Sequence, residues 1–235
     1  MDDPYVREYH EDRELTAWFL LDLSPSVDFG TADMDRQKRT VLIDFVTTLA
    51  RLLTRRGNRV GAVLYGREVD RTIPARGGRV QVLHLVDTML RQPQLDSAPF
   101  TDLAALLDTG HRTIKRRSLV FIISDFISLP GWERSLHLLN RRHEVLAVRL
   151  SDPREVALPD VGPVILEDAE TGEQLYVDTR DRAFRRRFEA AAAARETAIG
   201  DAFKRAGVEA VTLSTDEDLV RAIVRMATLR HRRRR

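Results

Sequence analysis

The chain has no cysteine, which removes disulfide staples and thiol nucleophiles and fits a reducing compartment. No run approaches the roughly 20 apolar residues of a membrane-spanning helix, and no basic, apolar, small-residue leader pattern opens the sequence. A cytoplasmic protein is the expectation. Common catalytic signatures are missing as well: there is no Gly-x-Ser-x-Gly elbow, no His-Glu-x-x-His zinc motif and no Gly-x-x-x-x-Gly-Lys phosphate loop. The six histidines, His10, His84, His111 and His143 among them, lack close ligand spacing. Lysine occurs only at Lys38, Lys115 and Lys204. Basic charge is therefore carried by arginine, as a bias of composition.

What remains describes a globular domain. Hydrophobic residues make up 43% and charged residues 31%, which excludes a disordered or membrane chain. A length of 235 residues suffices for one large core. The 36 acidic and 38 basic residues nearly cancel, leaving a formal charge of +2. One local charge run stands out, His231-Arg232-Arg233-Arg234-Arg235. It offers a contact to nucleic acid phosphates or anionic lipid, but its first reading is a solvated tail at a helix C-terminus. No aromatic RNA-binding motif or recognition helix accompanies it. The cluster Arg112, Lys115, Arg116 and Arg117 is read as satisfying the end of a helix.

Periodicity gives alternating strands and helices. Strands are expected at residues 15–21, 59–65, 69–74, 119–123, 144–150 and 209–213, and helices at 38–56, 80–90, 102–114 and 132–142. Residues 164–166 and 174–177 flank Thr171-Gly172 and predict a surface β-hairpin. A long helix follows with Phe184, Phe188, Ala192, Ile199 and Phe203 as a core stripe and Gly207 as its stop. The sequence Thr215-Asp216-Glu217-Asp218 predicts the start of a C-terminal helix. This order implies a three-layer α/β/α fold on a mostly parallel sheet. One domain is expected at 15–230, with an N-terminal segment at 1–14 and a basic tail at 231–235.

The apolar strand Ala17-Trp18-Phe19-Leu20-Leu21 runs directly into Asp22-Leu23-Ser24-Pro25-Ser26. Ligands of open α/β sheets bind at such strand ends. One carboxylate and two hydroxyls at alternate positions are hard oxygen donors, suited to Mg²⁺ or Mn²⁺. Two later segments add donors of the same kind: Thr101 at the opening of a helix pattern, and Asp125 at the end of Leu119-Val120-Phe121-Ile122-Ile123-Ser124. Each alone reads as a turn or cap residue. Their joint order is what points to a site.

This pattern resembles the von Willebrand factor A-type domain, whose metal-ion-dependent adhesion site runs Asp-x-Ser-x-Ser, then Thr, then Asp. Carried over, the metal residues are Asp22, Ser24, Ser26, Thr101 and Asp125. The flanks Tyr5-Val6-Arg7-Glu8-Tyr9, Glu14-Leu15-Thr16 and Phe29-Gly30 narrow the resemblance to the bacterial family called domain of unknown function 58. That resemblance implies one antiparallel edge strand, a bound Mg²⁺ (or Mn²⁺ or Ca²⁺) and no catalytic activity. It also implies a partner, a MoxR-type AAA+ ATPase or its client, that contributes an acidic residue to the metal. The family's usual upstream stretch is not seen before Met1-Asp2-Asp3-Pro4, so the adhesion domain alone is expected. A haloacid-dehalogenase-type phosphatase is the catalytic alternative. Its general acid stands two positions after the first Asp, where this chain has Ser24, and no lysine suggests itself for the expected role.

Overall fold

The computed structural model describes residues 15–28, 37–95, 98–168 and 170–233, with side chains as far as Thr228. The flanking motifs at residues 5–9 and 29–30, the segment 1–14 and the side chains of the terminal arginine run lie outside the described residues.

The continuous apolar runs form strands buried on both sides, as parallel strands between two helix layers must be. In chain order, β1 (Thr16–Asp22) is followed by α1 (Lys38–Arg55), β2 (Arg59–Tyr65) and β3 (Val69–Arg76). Next come α2 (Arg79–Arg91), α3 (Leu103–Thr113), β4 (Leu119–Ser124), α4 (Trp132–Arg142) and β5 (Glu144–Ser151). The hairpin strands β6 (Pro163–Glu167) and β7 (Gln174–Asp178) precede α5 (Arg182–Ala206), β8 (Glu209–Ser214) and α6 (Leu219–Arg233). The main sheet has the order β3-β2-β1-β4-β5-β8. Only β3 runs antiparallel in it, at the edge, where Pro74 is tolerated. The expected fold class is observed.

Two apolar layers sandwich the sheet. Phe19 and Phe121, paired across β1 and β4, stack with centroids 5.4 Å apart in the layer shared with α1, α2 and α6. Leu20 and Ile122 face the other layer, with residues of α3, α4 and α5. There α3 packs so closely that a Cβ at Gly110 would stand 2.7 Å from Leu20 Cδ1. Buried positions on α5 are Ala192 and, in its C-terminal half, Ile199, Ala202, Phe203 and Ala206, which join the layer with α3 and α4. Phe184 and Phe188 are only half-buried, so the expected core stripe covers part of that helix.

One helix start differs from expectation. At α3 the expected start holds, with Asp102 capping it by accepting from Ala105 N, which leaves the Thr101 hydroxyl for other use. The C-terminal helix begins at Leu219, after Asp218 accepts from Arg221 N. Thr215 instead donates to the buried Asp152 at 2.8 Å, a tertiary bond that outcompetes the local cap.

Candidate functional site

Strand order reverses between β1 and β4: β1 continues to β2 on one side, and β4 to β5 on the other. At such a switch point the loops leaving the two strands diverge and open a cleft beyond their carboxyl ends. Asp22 ends β1 and Asp125 directly follows β4, both fully buried. Local bonds fix each carboxylate. Ser24 N donates to Asp22 Oδ1 at 3.1 Å, and Ser124 Oγ donates to Asp22 Oδ2 at 2.6 Å. Ile127 N donates to Asp125 Oδ1 at 3.0 Å. Ser24 and Ser26 bring their hydroxyl oxygens within 3.2 Å of each other. Past Asp125 the chain turns through Phe126 at φ 59°, a left-handed conformation that costs energy for a bulky residue. Packing holds it there, with the ring 5.4 Å from Trp132 and 4.7 Å from Phe203.

Thr101 reaches the same cleft from the loop before α3. Its carbonyl accepts from Ser128 Oγ at 2.7 Å and Leu129 N at 3.0 Å, which lashes this loop to the one after β4. Its hydroxyl does not meet the serines directly. It donates to Glu170 Oε1 at 2.7 Å.

Three charged residues of the site were not singled out from the sequence. Lys38 opens α1 fully buried, and its Nζ lies 2.9 Å from Asp125 Oδ2 and 2.6 Å from Glu155 Oε1. Glu155 follows β5. Glu170 sits in the tip of the β6–β7 hairpin and is only 6% exposed. A signal for Lys38 did exist: a cation at a helix N-terminus opposes the helix dipole, so Lys38 and Arg39 there call for carboxylate partners. Arg39 finds Asp28 at 3.0 Å.

The two central carboxylates titrate in opposite directions. Burial, then the charge of Asp125, push Asp22 up to about 6 against the bonds from Ser124 and Ser24. Burial acts on Asp125 too, but the Lys38 ammonium and the Ile127 amide outweigh it and hold that carboxyl below its ordinary value. Lys38 is pulled down by burial and raised more by Asp125 and Glu155, so it stays charged. Burial also raises Glu170, countered by the Thr101 hydroxyl. The Ser26 hydroxyl lies beside both Asp125 and Glu170 and favours their ionised forms, yet Glu170 Oε2 has no hydrogen-bond partner.

Among the described residues, three carboxylates are thus buried together beside the Lys38 ammonium, which is shared with a fourth. Buried charge of one sign needs a counter-charge. Among the described residues no three His, Cys, Asp or Glu side chains form a metal cage, so a cation here depends on hydroxyl donors. Ser24, Ser26 and Thr101 supply them, and the surplus negative charge with an orphaned carboxylate oxygen fits a hard divalent ion.

The family model for the protein of unknown function DUF58 matches residues 1–198. The chain belongs to the DUF58 family. An uncharacterized protein of Mycobacterium tuberculosis, Rv1480, is 38% identical over 229 residues, covering 97% of this chain and 71% of its own length. An uncharacterized Mycobacterium avium protein, MAV169, is 39% identical over 160 residues, 68% of this chain and 94% of its own length. Among solved structures, the conserved hypothetical protein BatB of Bacteroides thetaiotaomicron superposes with a TM-score of 0.56 at 12% identity, over 91% of this chain and 99% of its own. An aerotolerance-related membrane protein of Bacteroides fragilis gives a TM-score of 0.51 at 11% identity, over 85% and 91%. At these identities the likeness establishes the fold, that of a von Willebrand factor A-like domain. No helix among the described residues is long and apolar enough to cross a membrane.

Proposed function

We propose that this DUF58 domain is a non-enzymatic recognition module, acting in the cytoplasm, whose binding centre is the cleft between β1 and β4. The observation that carries this reading is convergence. Asp22 and Asp125 stand at the ends of the two strands between which strand order reverses, Ser24 and Ser26 follow Asp22, and the Thr101 loop is tied to the loop after β4.

Ser24, Ser26 and Thr101 would hold Mg²⁺, or Mn²⁺ or Ca²⁺, through oxygen. Asp22 and Asp125 would stand behind them to supply charge. A cation held mostly by neutral hydroxyls stays electrophilic, and when bound it would offer a partner's carboxylate a point of attachment. The chain's own work is positioning. Ser24 N and Ser124 Oγ orient Asp22, and Lys38 balances Asp125. Ser128 and Leu129 fasten the Thr101 loop to the β4 side of the cleft. The implied partner is an acidic surface of a MoxR-type AAA+ ATPase or of a protein that it remodels, a class supported by the family resemblance.

Lys38 gives the phosphatase reading the buried lysine that its sequence pattern lacked. The position two after Asp22 is still Ser24, however, so no general acid is in place. Absence of turnover of p-nitrophenyl phosphate in Mg²⁺ is the expected result. For the recognition reading, affinity capture from the native host's lysate compares wild type with Asp22→Ala and Thr101→Ala, each in Mg²⁺ and in EDTA. Recovery of an AAA+ ATPase or its client only by wild type in Mg²⁺ is expected. Equal recovery by folded variants, or in EDTA, would overturn the reading.

A further inference from the structure

Glu170 is the one buried carboxylate of the cleft that comes from neither strand end. It is carried by the connection from β6 to β7, whose described residues hold it in place. Asp168 Oδ1 accepts from the backbone N–H groups of Glu170 and Thr171 at 3.1 and 2.8 Å, and from the Thr171 hydroxyl at 3.0 Å. Gly172 closes the turn with φ 70° and donates its N–H to Asp168 O at 2.8 Å. The tip is then docked: Ala98 N donates to Glu170 O at 3.0 Å, tying the hairpin to the loop that presents Thr101. A hairpin loop that served only to reverse the chain would leave its acidic side chain in water. Here the side chain is 94% covered, spends Oε1 on the Thr101 hydroxyl, and leaves Oε2 buried without a partner.

A carboxylate oxygen buried without a hydrogen bond of its own is unfavourable, so its direction calls for an occupant. The surrounding groups say what kind. Ser26 lies beside it, Asp125 adds like charge, and Thr101 is already in contact. A second carboxylate or a phosphate would be repelled there, whereas a cation would be attracted.

We propose that Glu170 is an internal ligand: the β6–β7 hairpin lays its carboxylate over the cleft, where Oε2 completes the oxygen set around a divalent cation and holds the place of a partner's acidic side chain. This inference rests on the metal-site reading and adds regulation to it. Partner binding then requires the hairpin tip to lift, and the domain's resting state is self-occupied. Among the described residues the tip is tied to the cleft loops through the Ala98 N–H, the Thr101 hydroxyl and the adjacent Ser26 hydroxyl, polar bonds that water or a partner can replace.

The test uses Mn²⁺ as the probe on the full chain, comparing wild type, Glu170→Gln, Glu170→Ala and Asp22→Ala. Two quantities are read: Mn²⁺ affinity by titration, and the rate at which bound Mn²⁺ relaxes water protons, which reports exchangeable water on the metal. Glu170→Gln keeps the size and the Thr101 bond, and thermal melting checks that each variant is folded. The expected result is Mn²⁺ binding about tenfold or more weaker in both Glu170 variants, with faster water relaxation per bound ion than in wild type. Unchanged affinity and relaxation in the Glu170 variants, with binding still lost in Asp22→Ala, would overturn the internal-ligand proposal and leave the metal site standing. No Mn²⁺ binding by wild type would overturn both.

Discussion

The strand ends that form the floor of the cleft and the elements that close over it are held by different physics. On the floor, each carboxylate is fixed by a backbone N–H two residues ahead: Ser24 for Asp22, Ile127 for Asp125. These two bonds are local and form as the loop turns, and one further neutral hydrogen bond, from Ser124 to Asp22 across 102 residues, joins the two strand ends. The closing groups arrive from far along the chain, and their ties are ionic or depend on tertiary docking. Lys38 meets Asp125 across 87 residues and Glu155 across 117, and Glu170 meets Thr101 across 69. The floor sets where donors stand, and the closing groups set how much charge is left for a cation to balance.

Lys38→Met tests that division most severely. It leaves Asp125 buried without its ammonium, and urea unfolding is expected to show a loss of about 3–5 kcal/mol. Adding Asp125→Asn should recover part of that loss, since the fully buried charge is then gone and only Glu155, partly exposed, still lacks its partner. Equal instability of single and double variants would mean that Lys38 acts through packing. A smaller effect is expected on the floor itself. Ser124→Ala removes a hydroxyl that both donates to Asp22 and accepts from Phe126 N, at a cost of about 1–3 kcal/mol in the same assay. Gly110→Ala probes the strand beneath. The added methyl would stand 2.7 Å from Leu20, so overpacking is expected to cost about 1–3 kcal/mol, reduced by the better helix propensity of alanine. At the bottom of the scale, Arg91→Ala breaks an exposed ion pair with Asp87 on α2 and should shift stability by no more than about 0.5 kcal/mol. If that surface pair mattered as much as Lys38, the distinction between buried and exposed charge would fail.

Much of the floor was legible in the sequence because it is written locally. An apolar run followed by Asp-x-Ser-x-Ser announces both a buried strand and the donors at its end, and Ile122-Ile123-Ser124-Asp125 does the same for β4. The antiparallel edge strand follows from the family resemblance, and β3 supplies it. The closing elements were less so. Thr171-Gly172 correctly signals a hairpin, but no periodicity tells that its tip docks on the loop before Thr101 instead of standing in solvent. The sequence pattern puts Thr101 among the metal residues, and its hydroxyl is bonded to Glu170, a contact that depends on that docking. Lys38 was visible only as a rare residue type, and its unfavourable place at a helix N-terminus was the usable clue. The C-terminal helix was placed early because Thr215 has a tertiary partner, Asp152, that a reading of local caps does not see.

Direct titration of Mg²⁺ into wild type and into the Ser24→Ala/Ser26→Ala double variant tests the central claim most simply. Both substitutions remove hydroxyl donors while leaving every buried carboxylate and Lys38 in place. The account predicts saturable binding at a single site in wild type and its loss in the folded double variant. Binding unchanged by removal of both hydroxyls, or absent from wild type, would contradict it.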